Sequence, residues 1–389
     1  MANENEEQAT TPAATPAPAT KSPTKSPSPA PLVSSSPPQG EPIIAADDAD
    51  DDFDDADSAL GSDAYVQPSS PRKHTINTPH SASSTASVTA SILEYRTIQG
   101  RTFHSERYST EYFTPNDDQQ LKSQDITHHY LTVLLGDKLF LAPIAGNDVK
   151  KVLDVGTGSG IWAIDFADQY PQAEVIGSDL SPCQPSWVPP NVQFEVDDAT
   201  QPWTWKDNDF DFIHIRYLFG AIADWNAIFK QAYRCCAPGG WVQSCEADVH
   251  FFCDDDTADD PQVAPYLKTW AKLYEAGGAE MKRPFFVQQE NLQEKGIEAA
   301  GFTDMKVVNY KLPVGGWPKD PKLADVGRFV KLTMENDIEG YTLFMWHNVL
   351  KWPKDEYQIF LMGMRKILAN RKVHAYMMVR YVYARKPEA

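Results

Sequence analysis

Between Lys151 and Asp179 the chain reads KVLDVGTGSGIWAIDFADQYPQAEVIGSD, and the glycine cluster at its centre leaves few folds open. Val152, Leu153 and Val155 form a short apolar strand. Gly156, Gly158 and Gly160 then crowd a turn where a backbone must bend sharply or be approached closely. From Ile161 to Tyr170 the polar residues Asp165, Asp168 and Gln169 recur at helical spacing, which makes the segment an amphipathic helix. Ala173 to Gly177 is a second buried strand, closed by Asp179. Strand, glycine turn, helix and strand within these residues make a right-handed βαβ unit, the nucleotide-binding half of a doubly wound sheet.

The rest of the chain extends that unit. Val192 to Val196 is a third strand ending at Asp197-Asp198-Ala199, and Phe210 to Ile215 is a fourth, dense in β-branched and aromatic residues. Asp224 caps a helix running to about Cys236, and Pro238-Gly239-Gly240 turns into a strand from Trp241 to Cys245. Residues 151–247 therefore alternate strand and helix, which predicts a mostly parallel sheet with its ligand at the carboxyl ends of the strands. After Ala247 the alternation stops. Helices are expected over Gln262 to Ala276, Val287 to Ala300, Glu335 to Leu350 and Lys354 to Ala369, and strands over Met305 to Tyr310 and Val373 to Ala384. A helical insertion of this kind before the last strands is where a substrate cover belongs. The run Asp254-Asp255-Asp256 lacks the spacing of a cation site and reads as a solvated loop.

Upstream, Glu94 to His104 is aromatic and basic. Asn116 is the expected N-cap of a helix with Asp117 and Asp118 in its first turn. Leu121, Ile126, Tyr130, Val133 and Leu134 give that helix an apolar stripe, suited equally to a cover over the site or to ordinary packing. Residues 1–90 hold 13 of the 30 prolines and a net charge of −9, most of it between Asp47 and Asp57, with almost no large apolar residue. Such a stretch cannot bury enough apolar surface to offset its chain entropy, so it is expected to be a disordered tail. Its Ser-Pro and Thr-Pro pairs, Ser70-Pro71 foremost, serve either a spacer or regulation by phosphorylation. Residues 91–389 are left as one domain.

Composition narrows the class. A net charge of −19 and a pI near 4.8 argue against direct nucleic-acid binding. No stretch approaches 18 apolar residues and the N-terminus lacks a signal-peptide pattern, so a soluble protein of the cytoplasm or nucleus, without a membrane partner, is expected. The five cysteines form no CxxC and have no histidine at zinc spacing, so no metal is expected.

The turn itself indicates which nucleotide. A dinucleotide fold reads G-x-G-x-x-G, whereas here the third glycine comes one position early and Ile161 stands in its place. Asp154 precedes the turn, awkward beside a pyrophosphate but suited to a ligand with an ammonium group. The G-K-[ST] ending of a phosphate-binding loop is absent. D-x-G-x-G-x-G, then Asp179 closing the second strand and Asp198 closing the third, matches S-adenosylmethionine. Asp179 is expected to accept both ribose hydroxyls and Asp198 to sit by the adenine amino group. Asp154, Gly156, Thr157, Gly158, Gly160, Leu180 and Ala199 complete the expected cofactor contacts.

The chain also resembles the fungal LaeA-like methyltransferases of the class I superfamily. The resemblance rests on GRTFH (Gly100 to His104), PND (Pro115 to Asp117), VLDVGTGSGIWAIDFAD, EVIGSDLSPCQPSWVPPNVQFEVDDA, FDFIHIR with the following Asp224-Trp225, and the ending KVHAYMMVRYVYARKP. It covers essentially all of 95–387. It implies a Rossmann-like, seven-stranded, mostly parallel class I sheet, S-adenosylmethionine as cofactor, and a role in fungal secondary metabolism or development. The acceptor is a small molecule or a protein; the alternative is a regulatory subunit acting through protein partners. Methyl transfer mainly requires alignment of the acceptor. If a base is needed, His250 and His214 are the candidates, with Arg216, Glu246 and Asp248 nearby at strand ends. Tyr217, Phe219, Phe251 and Trp317 are candidates for an apolar acceptor pocket.

Overall fold

The structure, a computed structural model, describes residues 41–46, 94–106, 110–144 and 149–388. All of these belong to the second of two contact units, Pro37–Ala389; the first, Met1–Ser36, lies outside the described residues. So do the acidic run and the Ser-Pro and Thr-Pro pairs.

Strands β1 (Tyr95–Ile98) and β2 (Arg101–Ser105) form an antiparallel hairpin, followed by helix α1 (Asp118–Leu134). The alternating core is β3 (Lys151–Val155), α2 (Ile161–Gln169), β4 (Glu174–Asp179), β5 (Val192–Val196), β6 (Phe210–Arg216), α3 (Trp225–Cys235) and β7 (Cys236–Ala247). Beyond it come α4 (Ala264–Met281), α5 (Leu292–Ala300), β8 (Thr303–Pro313), α6 (Pro321–Phe344), α7 (Lys354–Ala369) and β9 (Tyr376–Arg385).

Seven strands form one sheet in the order β5-β4-β3-β6-β7-β9-β8. The first five are parallel, and β9 runs antiparallel to both β7 and β8. The expected seven-stranded, mostly parallel α/β sheet is therefore present. The strand order reverses between β3 and β6, so their carboxyl ends flank the crevice where an open α/β sheet takes its ligand. Because both faces of these strands are covered, β3 and β6 read as nearly unbroken apolar runs rather than alternating ones. On one face α3 packs Trp225, Ile228 and Phe229 with Leu153 and Ile213. On the other, α2 packs Trp162 and Phe166 with Val152 and Phe212. A third apolar cluster joins the hairpin, α1, α4, α6 and α7 into a helical layer.

Several boundaries differ from expectation. The N-cap of α1 is Asp117, whose carboxylate accepts the Gln120 N–H at 3.2 Å, while Asn116 donates its amide to Ser181 Oγ. Asp117 also receives Arg101, which fixes it outside the helix. The helix expected from Glu335 begins at Pro321, capped by Asp320; the Asp-Pro pair is itself a helix start signal. It kinks at Asp337 and continues into a π-helical turn over Met345–Leu350. Helix α5 starts five residues late because Asn291 takes φ +51°, which interrupts a continuous helix from Val287.

The span 1–90 is not wholly without structure. Residues 41–46 lie against the sheet: Ala46 N–H donates to Trp317 O, Lys319 N–H to Ile44 O, and Ile43 N–H to Asp254. The Asp254-Asp255-Asp256 loop is exposed, as expected, but Asp254 is also tied down, pairing with Lys311 at 2.7 Å and accepting Tyr376 Oη–H at 2.8 Å. Among the described residues no group of His, Cys, Asp or Glu is arranged to hold a metal ion, and no helix is long and apolar enough to cross a membrane.

Candidate functional site

The crevice at the strand-order reversal opens into a cavity of about 220 Å³ between the carboxyl ends of the parallel strands and the helical layer. Its floor is the glycine turn. Gly156 (φ +69°), Gly158 (φ +57°) and Gly160 (φ +83°) all occupy the left-handed region that favours glycine. At Gly156 a Cβ would stand 2.5 Å from Leu218 Cδ2, so a side chain there would also drive into the wall.

Of the expected cofactor residues, Gly156, Thr157, Gly158, Asp179, Leu180, Asp198 and Ala199 line this one cavity. Gly160 does not: it opens α2, and a Cβ on it would meet the Phe194 ring. Asp154 does not either. Its carboxylate accepts Thr157 Oγ1–H at 2.6 Å and His214 Nδ1–H at 2.7 Å, so both oxygens are turned into the protein. Asp154 and His214 are register partners on adjacent strands, and so project from the same face.

That contact removes His214 as a candidate base. The ring is buried, stacked on Trp162 with centroids 3.8 Å apart, and burial holds its pKa below the ordinary value. It is a neutral imidazole that fixes Asp154, which in turn fixes the turn through Thr157. His250 is also outside the cavity. Its Nδ1 is bonded to Asp248 at 2.7 Å and its ring stacks on Phe286. Asp248 itself lines the cavity, but its oxygens are held by His250 and by Gln289. Of the four aromatic candidates, Tyr217 and Phe219 line the cavity, Phe251 packs on Trp270, and Trp317 lies by His374 and residues 41–46.

Asp179 is the carboxylate most open to a ligand. It accepts the N–H of Gly158 at 2.8 Å and of Ser181 at 3.0 Å, with no cation paired to it among the described residues. Burial pushes its pKa up to about 6, the nearby Asp154 charge adds to the rise, and the N–H groups offset part of it. A desolvated carboxylate with spare acceptor capacity, beside a bare peptide turn, suits a hydroxyl-bearing ligand. Asp198 is more occupied: Thr110 Oγ1–H donates to one oxygen at 2.6 Å, and Thr200 holds the other.

Past the end of β6 the chain is held under strain. Tyr217 has φ +56°, unusual for a bulky side chain. Strand β7 enforces it: Tyr217 N–H donates to Cys245 O, and the N–H groups of Leu218 and Phe219 donate to the two Glu246 oxygens. Burial pushes the Glu246 carboxyl up to about 8. Glu246 is thus a support for the cavity wall, with no atom on its lining.

Helix α1 and the helical insertion, the elements suited to a cover, do form the upper wall, and Leu121 and Tyr130 of the expected α1 stripe line it. The segment after the hairpin, α4 and α6 complete it through Thr110, Tyr112, Trp270, Tyr274 and Tyr341, which no local pattern in the sequence marks as lining. One signal was available on α1. Gln120, Gln124 and Thr127 recur at i, i+4, i+7 on α1, a polar stripe at helical period that faces inward, and Gln124 Oε1 accepts the Ser159 N–H of the turn. His104 also lines the cavity with both ring nitrogens engaged, by Ser105 O on one side and by Tyr112 N–H and Arg96 on the other; burial keeps it neutral.

Comparison with known proteins agrees with this geometry. A family model described as a methyltransferase domain matches residues 126–307. "Methyltransferase pytC" of Aspergillus terreus is 34% identical over 307 residues, covering 78% of this chain and 92% of that protein. "Secondary metabolism regulator LAE1" of Cochliobolus heterostrophus is 33% identical over 294 residues, 74% of this chain and 94% of that one. "Protein-methionine methyltransferase laeA" of Emericella nidulans is 31% identical over 296 residues, 76% of this chain and 77% of that one.

Proposed function

This chain belongs to the LaeA-like S-adenosylmethionine-dependent methyltransferases, and from that premise we propose that it methylates a protein or small-molecule acceptor in fungal secondary metabolism or development. The observation that carries the reading is Asp179, a half-buried carboxylate with no cationic partner among the described residues, set beside a left-handed glycine turn at the strand-order reversal.

The residues present fit S-adenosylmethionine. Asp179 would take the ribose hydroxyls, Asp198 and Ala199 would border the adenine, and the peptides of Gly156, Thr157 and Gly158 would face the amino-acid arm. Asp154 and Gly160 would support the turn without touching the ligand. Bound there, the cofactor supplies a methyl group already activated as a sulfonium substituent. What the chain adds is alignment and exclusion of water. The helical layer closes over the strand ends with aromatic side chains, so an acceptor held there is desolvated and oriented, which is the main requirement of a displacement.

On the wall, both ring nitrogens of His104 are engaged and both oxygens of Asp248 are bonded by His250 and Gln289, while the burial of Tyr112, Tyr217, Tyr274 and Tyr341 holds their hydroxyls protonated. This favours an acceptor that reacts as a neutral nucleophile, such as a thioether, the class named in the Emericella nidulans relative. The test is to incubate the full chain with S-adenosylmethionine labelled in the methyl group and a fungal extract. Label in protein, released as a methylsulfonium, is expected with the wild type and not with Asp179→Ala. Label recovered as an O-methyl ether would overturn the neutral-nucleophile assignment. Failure of the wild type to bind S-adenosylmethionine would overturn the whole reading.

A further inference from the structure

Arg216, the last residue of β6, lies on the cavity wall and has no role in the account above. Strand β6 neighbours β3, and Ile215 is the register partner of Val155, so Arg216 stands level with Gly156 where the glycine turn begins. Among the described residues its guanidinium has one bond, to Nδ1 of His128 on α1 at 3.3 Å. His128 Nε2 is in turn bonded to Asp165 on α2 at 2.9 Å, and burial holds that imidazole below its ordinary pKa. A neutral ring with its proton on Nε2, toward Asp165, leaves Nδ1 as a pure acceptor for Arg216. The side chain is therefore held from two helices, yet the bond to His128 neutralises none of its charge.

Among the described residues no carboxylate stands within ion-pair distance of Arg216. Of the wall's acids, Asp248 follows β7 beside β6 but has its oxygens bonded by His250 and Gln289, whereas Asp179, Asp197 and Asp198 belong to the ends of β4 and β5, on the far side of β3. A half-buried guanidinium with most of its five N–H groups unspent calls for an anion, and a planar one that can be gripped at two points suits it best. The cavity is thus polarised, with Asp179, Asp197 and Asp198 at one end and a fixed cation at the other. Strands β4 and β6 flank β3, so those ends lie about two strand spacings, roughly 10 Å, apart across the glycine turn.

We propose that Arg216 binds the α-carboxylate of the methyl donor's amino-acid arm, so that the ligand spans the turn with its ribose on Asp179 and its carboxylate on the β6 cation. This rests on the cofactor reading above. An anionic group of the acceptor is the competing occupant, and the experiment separates the two.

Full-length protein is titrated calorimetrically with S-adenosylmethionine and with decarboxylated S-adenosylmethionine, which keeps the sulfonium, amine and adenosine. The wild type is expected to bind the first about ten- to a hundredfold more tightly, the loss typical of one charge-assisted contact. In Arg216→Met the Kd for S-adenosylmethionine should rise by that factor while the Kd for the decarboxylated form stays unchanged, which also reports an intact site. Arg216→Lys should recover part of the difference. Equal weakening of both ligands in Arg216→Met would overturn the proposal in favour of a structural role. An unchanged Kd for S-adenosylmethionine would overturn it in favour of the acceptor. A wild type that binds both ligands equally sinks the Arg216 assignment alone, and one that binds neither sinks the cofactor reading.

Discussion

At the scale of single residues, the protonation of Asp179 decides when the site can work. Its pKa in the empty protein is raised to about 6, chiefly by burial. Only the ionised form accepts two hydroxyl hydrogen bonds, so a proton competes with the ligand. Between about pH 7 and about pH 5 the ionised fraction falls about tenfold, and the Kd for S-adenosylmethionine should rise by the same factor. Above about pH 7 it should level off. Stability carries the opposite sign. A carboxyl raised above its unfolded pKa of about 3.9 stabilises the fold below that value, and the contribution is lost as pH rises through about 6. Acid should therefore weaken binding through this group without unfolding the protein through it. Titrations across this range check the point, with Asp179→Asn expected to bind weakly and without the pH dependence; a wild-type Kd flat down to about pH 5 would rule it out. The sequence showed which acids close which strands, because strand ends are written in local composition. It did not show where Asp154 points. That is set by His214, sixty residues later, which the parallel register brings opposite it. A ligand-suited carboxylate and a turn-fixing one look alike until the neighbouring strand is placed.

Among elements, the least legible was α6, where the kink at Asp337 has a tertiary cause. Arg101 from β2 bonds both oxygens of Asp337, at 2.6 and 2.8 Å, and both oxygens of Asp117, the cap of α1, at 2.5 and 2.7 Å. One guanidinium thus ties the hairpin, α1 and α6 together over the cavity. The apolar period of α6 is interrupted by a buried acid, and no local pattern says that a cation from residue 101 will meet it. Helix α7, by contrast, spans the expected Lys354–Ala369, since its start and its buried face depend only on nearby residues. Asp337 is buried, and desolvation raises its pKa despite the arginine. Arg101→Met would leave that acid without its partner, at a cost of about 3–5 kcal/mol in unfolding free energy. Adding Asp337→Asn should recover a large part of the loss, because the fully buried charge is removed while Asp117, also deprived of Arg101, is partly exposed and keeps the Gln120 N–H. Chemical denaturation of the two variants and the wild type checks this. Equal stability of single and double variants would show that the ion pair is not what joins these elements.

Across the whole molecule, the sheet and its crevice were legible because hydrophobic runs and glycine turns recur in order. The attachment of the upstream chain was not. Residues 41–46 lack the apolar content that marks a strand, and the partners that hold them come from positions 254, 311, 317 and 319. Asp254 is the centre of the contact: it accepts Ile43 N–H at 2.9 Å and Lys311 Nζ at 2.7 Å, and Lys311 also reaches Glu41 O at 3.0 Å. Ile43 packs with Phe252, Tyr376 and Met378. Composition sets whether a segment can fold by itself, whereas this one is ordered by edges that the domain already presents. None of these residues lines the cavity, so the contact should be separable from cofactor binding. In Asp254→Ala the acceptor for Ile43 N–H is lost and Lys311 is left without its carboxylate. Hydrogen exchange at the Ile43 and Ala46 amides should then quicken by about tenfold or more, the equivalent of losing a charge-assisted bond. Affinity for S-adenosylmethionine should stay at the wild-type value. Unchanged exchange at both amides in Asp254→Ala would show that the backbone bonds to Trp317 and Lys319 hold the segment without it.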